Sequence, residues 1–131
     1  MRRLFALVFL TALFLGGPRI ARAQGEVGEF YNPYLAEKNL EVGEFYLKKG
    51  NYDAAIERLL ESIRYKPNYA RPHRLLGVAY EKKGEFEEAI RYYNKYLEIL
   101  PSADDASQIR KRIEKLKRKQ AEKEKRRKRS G

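Results

Sequence analysis

The stretch GEFYLKKGNYDAAIERLLESIRYKP at residues 43–67 recurs, with changes, as GVAYEKKGEFEEAIRYYNKYLEILP at residues 77–101. The second copy begins 34 residues after the first and agrees with it in register at eight positions. A fixed period of this length is typical of repeat proteins, in which each unit buries its apolar face by stacking on the next. Such stacks form extended binding surfaces, so the sequence predicts a binding protein rather than an enzyme.

The residues that punctuate each copy predict two helices per repeat. Lys-Lys-Gly at 48–50 and 82–84 is typical of helix carboxyl ends, because cations suit the negative end of the helix dipole and glycine closes the helix. Gly43 and Gly77 lie inside helical patterns, where glycine costs about 1 kcal/mol relative to alanine, so we expect them to allow close helix approach. The predicted helices cover residues 36–49, 53–65, 70–83 and 87–100.

The spacing resembles that of the tetratricopeptide repeat, in which a large residue is followed at fixed distances by Leu, Gly, Tyr, Ala, Phe and Pro. The first copy fills these slots with Asn39, Val42, Gly43, Tyr46, Ala55, Leu59 and Pro67, and the second with His73, Leu76, Gly77, Tyr80, Ala89, Tyr93 and Pro101. The resemblance implies an all-α fold, a short right-handed solenoid with repeats at residues 36–69 and 70–101. The sequence departs from the family at Asn39 and His73, where Trp is favoured, and at Ser62 and Tyr96, where a small Ala is favoured.

The same resemblance implies a groove for a protein or peptide partner, lined by the first helix of each pair. By position, the groove residues would be Leu40, Glu44, Leu47, Lys48, Arg71, Arg74, Val78, Glu81 and Lys82. No set of Asn and Lys matches the carboxylate clamp of chaperone-binding members, so that role is disfavoured. Residues 39–63 are also similar to the opening of the repeat lipoprotein of the outer-membrane β-barrel assembly machinery, whose anchoring cysteine is missing here.

The sequence after Pro101 predicts a capping helix over residues 102–117. Its apolar residues fall three, four and three positions apart, which indicates one stripe that covers the last repeat. The stripe consists of Ala106, Ile109, Ile113 and Leu116. Ser102 and Asp105 have the spacing of a capping box, which predicts the helix start. Residues 118–131 form a basic tail that continues the helical composition.

Positive charge is concentrated at the carboxyl end. The whole chain carries a net charge of +11, but residues 25–109 hold 12 basic and 15 acidic residues, whereas residues 110–131 hold 13 basic and three acidic ones. Basic runs bind anionic lipids or polymers, and the alternative is a solvated charged helix. Nucleic acid is disfavoured, because no aromatic residue interleaves the run. The predicted contacts to an anionic surface are Lys117, Arg118, Lys119, Lys123, Lys125, Arg126, Arg127, Lys128 and Arg129.

The amino end has the three parts of a secretory signal peptide, predicted over residues 1–23. Two arginines precede an apolar run from Leu4 to Leu15, and Ala21-Arg22-Ala23 offers small residues at the cleavage spacing. Residues 24–35 are expected to form an extended lead-in. We therefore expect an exported protein, periplasmic or envelope-associated; the alternative is anchoring in the inner membrane by an uncleaved signal.

Catalytic chemistry is not indicated. The chain has no cysteine and a single histidine, His73, which stands in a packing slot without a metal-binding or nucleophilic companion. No phosphate-binding or dinucleotide motif occurs, so the sequence predicts no cofactor and no metal. The predicted function is a bacterial adaptor or scaffold in the cell envelope, with possible roles in envelope or outer-membrane assembly. The alternative is a binder of anionic surfaces through the tail, and a homo-oligomer is compatible with either.

Overall fold

The computed structural model describes residues 30–131, so the predicted signal peptide and residues 24–29 of the lead-in lie outside the described residues. The described part forms five helices and no strand, which confirms the all-α prediction. They are α1 (Pro33–Lys48), α2 (Tyr52–Tyr65), α3 (Ala70–Lys82), α4 (Phe86–Ile99) and α5 (Ala106–Arg129). Each helix packs against the next along the chain. Across residues 30–131, no helix has both the length and the apolar character that a membrane crossing requires.

The first helix begins three residues earlier than predicted. The Asn32 side chain accepts a hydrogen bond from the backbone N–H of Leu35 at 3.0 Å, which caps the helix. Pro33 follows in the first helical turn, where its missing N–H leaves no hydrogen bond unmade. The expectation of an extended lead-in through residue 35 is therefore wrong for residues 33–35.

The two interior glycines bring paired helices close together. A Cβ atom built on Gly43 would lie 2.8 Å from Leu59 Cγ, and one built on Gly77 would lie 2.5 Å from Tyr93 Cδ1. Such distances leave room for hydrogen alone, which confirms the predicted close approach. Gly50, with φ of +74°, and Gly84, with φ of +75°, close the first helix of each pair as the Lys-Lys-Gly pattern predicts.

Two apolar clusters form the core. One joins the first three helices through Leu40, Ile56, Leu59, Leu76 and Ala79. The other joins α4 to α5 through Ala89, Tyr93, Tyr96, Ile109, Ile113 and Leu116. All four residues of the predicted stripe on α5 are buried, so this helix covers the open side of the second repeat.

The predicted capping box at the start of α5 is wrong. The helix begins at Ala106, and Ser102 lies in the preceding turn. Asp105 stands at the N-cap position, but its side chain makes no cap hydrogen bond. Its carboxylate instead accepts hydrogen bonds from Arg74 and Tyr96, so a tertiary contact replaces the local cap.

Candidate partner-binding groove

Three ion pairs between helices define one continuous surface, here called the inner face. Glu44 on α1 pairs with Arg71 on α3 at 2.5 Å. Further along α3, Arg74 Nε lies 2.6 Å from Asp105 Oδ2. Glu81 on α3 accepts a hydrogen bond from Arg112 Nε on α5 at 2.7 Å. The side chains of α1, α3 and α5 therefore meet on the same side of the molecule.

Tyrosines from α4 hold the two acidic groups nearest to α5. The Tyr93 hydroxyl donates to Glu81 at 2.9 Å, and the Tyr96 hydroxyl donates to Asp105 at 2.6 Å. Burial raises the pKa of Tyr93. Burial and the hydrogen bond to Asp105 together raise the pKa of Tyr96 to about 12. The same Tyr96 hydrogen bond, followed by that from Arg74, lowers the pKa of Asp105. Each carboxylate is thus held by two donors.

The amino end of the inner face is fixed in a similar way. The Tyr69 hydroxyl donates to the Glu37 carboxylate, and burial together with this bond raises the pKa of Tyr69 to about 12. Ser62, which replaces the Ala of the family pattern, donates to the carbonyl of Ala36 at 2.7 Å. The hydroxyl therefore ties α2 to α1 at a buried position.

The structure divides the predicted groove residues into three groups. Leu40 is 1% exposed and packs in the core, so the prediction that it contacts a partner is wrong. Leu47 and Val78 are half-buried against the two core clusters. The charged residues Glu44, Arg71, Arg74 and Glu81 are brought together on the inner face.

Lys48 and Lys82 form the third group. They occupy equivalent positions, 34 residues apart, at the ends of α1 and α3. Both are exposed, and neither makes an ion pair with any other residue of the described range 30–131. They are the predicted groove cations that keep their charge available to a partner.

Sequence reasoning missed the contribution of α5 to this face. Asp105 and Arg112 stand 34 residues after Arg71 and Val78, two of the predicted groove residues. Applying the period a third time would have found both. The signal is weak because α5 lacks the glycine and tyrosine that mark the first helix of the other repeats.

His73 has the structural role that the sequence predicts. The side chain is 5% exposed, and its Nε2 lies 2.9 Å from the carbonyl oxygen of Pro67, to which it donates. Its ring stacks on Tyr92 with centroids 6.1 Å apart. Burial lowers the pKa, so the ring is neutral at pH 7. Within residues 30–131, no group of His, Asp or Glu side chains is placed to hold a metal ion.

Beyond Leu116, α5 continues as an exposed helix, here called the basic arm, residues 117–129. Lys119 and Lys123 lie over the Phe86 ring, 5.7 and 5.9 Å from its centroid. A cleft of about 320 Å³ separates the arm from the acidic first turn of α4. The other predicted surface contacts are also exposed: Lys117, Arg118, Lys125, Arg126, Arg127, Lys128 and Arg129.

Comparison with known proteins identifies the repeats. Residues 43–104 match the tetratricopeptide repeat family. A TPR repeat-containing protein of Methanocaldococcus jannaschii is 35% identical over 74 residues, and Hsp70-Hsp90 organizing protein 3 of Arabidopsis thaliana is 30% identical over 77 residues. These alignments cover 56% and 59% of this chain. Residues 43–104 are therefore tetratricopeptide repeats, the architecture of a protein-interaction scaffold.

The relatives are much longer than the region they share with this chain. The alignments span 13% of the archaeal protein and 14% of the Arabidopsis organizing protein. A probable UDP-N-acetylglucosamine–peptide N-acetylglucosaminyltransferase of Arabidopsis thaliana is 34% identical over 62 residues, 47% of this chain but 6% of that enzyme. The similarity thus concerns the repeats and leaves the relatives' other regions unmatched.

Proposed function

We propose that this chain is a non-enzymatic adaptor, exported to the bacterial cell envelope, that binds a protein or peptide on its inner face. The observation that carries the proposal is the set of charges held in pairs across α1, α3 and α5. Side chains that are already fixed lose little entropy when a partner binds, so such a face is preorganised for recognition. The name of the organizing protein, which describes a protein that brings two others together, supports an adaptor role.

The inner face favours a partner with acidic side chains. Most of its charges are neutralised internally, whereas Lys48 and Lys82 are exposed without an ion pair in the described residues. Because they recur with the repeat, they offer two cationic contacts along one face. An extended segment with spaced Asp or Glu residues would satisfy both.

Capture from an envelope extract of the source organism tests this site. The variant in which both charges are reversed, Lys48→Glu with Lys82→Glu, should no longer capture the partner that the unaltered chain captures. Arg58→Glu is a suitable control, because Arg58 is exposed on α2 and lies outside the inner face. Equal capture by all three proteins would contradict binding through these lysines.

Export is the part of the proposal that depends on the amino-terminal sequence. The basic, apolar and small segments of residues 1–23 support it. Amino-terminal sequencing of protein from an envelope fraction should give a start near Gln24. A cytosolic protein that begins at Met1 would contradict export.

A second candidate function is contact with anionic lipid or polymer through the basic arm. The observation in its favour is that the arm is helical and exposed along its length, with nine Lys or Arg residues against two Glu. In that case the repeats would serve as a spacer to which the basic arm is attached.

A further inference from the structure

One side of α1 is exposed although the equivalent side of α3 is buried. Leu76 and Ala79 of α3 are 0% exposed, in one cluster with Ile56 and Leu59 of α2. Their counterparts one repeat earlier are Val42, which is 40% exposed, and Phe45, which is 55% exposed. Within residues 30–131, nothing covers α1 as α2 covers α3.

The exposed side of α1 carries a symmetric pattern of side chains. Tyr34, Lys38, Glu41 and Phe45 are spaced by four, three and four residues, which places them on one seam of the helix. Tyr34 is 67% exposed, and the side chains of Lys38 and Glu41 are about half exposed and form an ion pair with each other at 3.1 Å along the helix surface. Read in either direction, the seam runs from an aromatic residue through two opposite charges to an aromatic residue.

We propose that this seam, here called the α1 seam, binds a second copy of the chain in an antiparallel, two-fold dimer. A two-fold axis between residues 39 and 40 sets Lys38 against Glu41 of the second copy. The same axis sets Phe45 against Tyr34 of the second copy. Both contacts occur twice, as an interface of this symmetry requires. Aromatic pairs and opposite charges each stabilise such a contact.

The segment that precedes α1 is a poor alternative occupant. In the sequence, residues 18–31 correspond by the repeat period to the residues of α2 in the next repeat. There, Arg22 stands in place of Ile56 and Gly25 in place of Leu59, so the large apolar side chains that cover α3 are missing. A strongly charged partner is also disfavoured, because the charges of the α1 seam cancel. The side chains of the α1 seam are therefore best complemented by the same seam of a second copy.

The α1 seam shares no residue with the inner face. The inner face takes Glu37 and Glu44 from α1, and these are paired with Tyr69 and Arg71 at the start of α3. Loss of dimerisation and loss of partner binding can therefore be separated by substitution.

Sedimentation equilibrium of the full chain, at low and at physiological salt, tests the proposal. The unaltered chain should be in monomer–dimer equilibrium. Lys38→Glu and Glu41→Lys should each raise the dimer dissociation constant about tenfold or more, because each places like charges in contact twice. An equal mixture of these two variants should recover the dimer, because a chain with two acidic residues then faces a chain with two basic ones.

Phe45→Ala should also weaken the dimer, whereas Leu100→Ala should not, because Leu100 is exposed on another part of the surface. Circular dichroism establishes that each variant keeps its helical content. A monomeric unaltered chain would overturn the proposal. So would a dimer that the charge reversals leave unchanged, or a mixture that associates no better than either variant alone.

Discussion

At the scale of single residues, Gly77 illustrates how the absence of a side chain holds two helices together. Its α-carbon faces the Tyr93 ring, whose hydroxyl is anchored to Glu81. The ring therefore has little freedom to move aside. Gly43 faces Leu59, an aliphatic side chain without a polar anchor.

We predict that Gly77→Ala lowers the free energy of unfolding by about 1–3 kcal/mol, the usual cost of overpacking, despite the better helix propensity of alanine. Gly43→Ala, the matched control, should cost less because no hydrogen bond holds the Leu59 side chain in place. Urea denaturation of both variants measures the difference. A stabilised Gly77→Ala chain would show that the helices can separate at this point.

His73 gives a prediction for pH. Its pKa in the folded chain lies below its ordinary value of 6.5, so the unfolded chain binds more protons once the pH falls below that value. The stability that the neutral ring contributes is therefore complete above about pH 6.5 and decreases as the pH falls toward the pKa of the folded state. The urea concentration at the midpoint of unfolding should decrease as the pH is lowered from 7.5 to 5.5. His73→Gln should make this decrease smaller. Equal slopes would contradict the assignment, since the chain has no other histidine.

Leu40 is buried in the core, and the local sequence pattern around it predicts this position. Ala36, Leu40 and Gly43 are spaced by four and three residues, a pattern that places all three on one buried stripe, as observed. The groove position that the family resemblance implies for Leu40 conflicts with this local period. The burial of Leu40 could therefore be predicted from the helical spacing of Ala36, Leu40 and Gly43.

At the scale of elements, α5 combines a well-predicted face with a badly predicted start. The stripe was visible because helical periodicity is local. The start was not, because Asp105 directs its carboxylate to Arg74 and Tyr96, residues 31 and nine positions away. No local rule reports a competition between a cap and a tertiary contact.

We predict that Ile113→Asp, alone or with Ile109→Asp, lowers the melting temperature sharply or causes aggregation. Burial of an isoleucine is worth about 1.5–3 kcal/mol, and an ionised carboxylate in its place would be desolvated without a partner. Both residues are buried against α4. Lys111→Asp, on the exposed side of α5, serves as the control. An unchanged melting curve for Ile113→Asp would show that α5 does not dock.

Asp105→Ala tests the contact that replaces the cap. Its removal leaves the Tyr96 hydroxyl and the Arg74 guanidinium without their acceptor, and a lost hydrogen bond to a charged group costs about 1.5–3 kcal/mol. The neighbouring Asp104 is exposed, so Asp104→Ala should change the free energy of unfolding little. Chemical denaturation compares them, and equal losses would mean that the contact contributes nothing specific.

At the scale of the whole molecule, charge is separated along the chain. The repeats carry a slight negative excess, whereas the basic arm, with nine Lys or Arg against two Glu, carries a net charge of +7. Exposed charges are screened over about 8 Å at physiological ionic strength, and each Lys or Arg near an anionic membrane contributes about 1 kcal/mol. Attraction to such a surface should therefore reside in the arm.

We predict that the chain cosediments with anionic vesicles at low salt and much less well above physiological salt. A chain that ends at Leu116 should lose this binding, and vesicles of neutral lipid are the control. If the truncated chain still cosediments, or if salt does not change the amount bound, the attraction does not reside in the arm. The arm would then be only a solvated helix.

The helix α5 links the repeats to the basic arm. The same helix docks on α4 through residues 106–116 and continues without a break into the arm, so a single rod joins the two parts. At 1.5 Å per residue, the 13 residues of the arm continue the helix for about 20 Å beyond Leu116, and its first part stays close to α4 through Lys119 and Lys123. Whatever touches the tip of this rod would lie at a set distance and angle from the repeats. Contact at the arm would therefore orient the inner face as well as tether it.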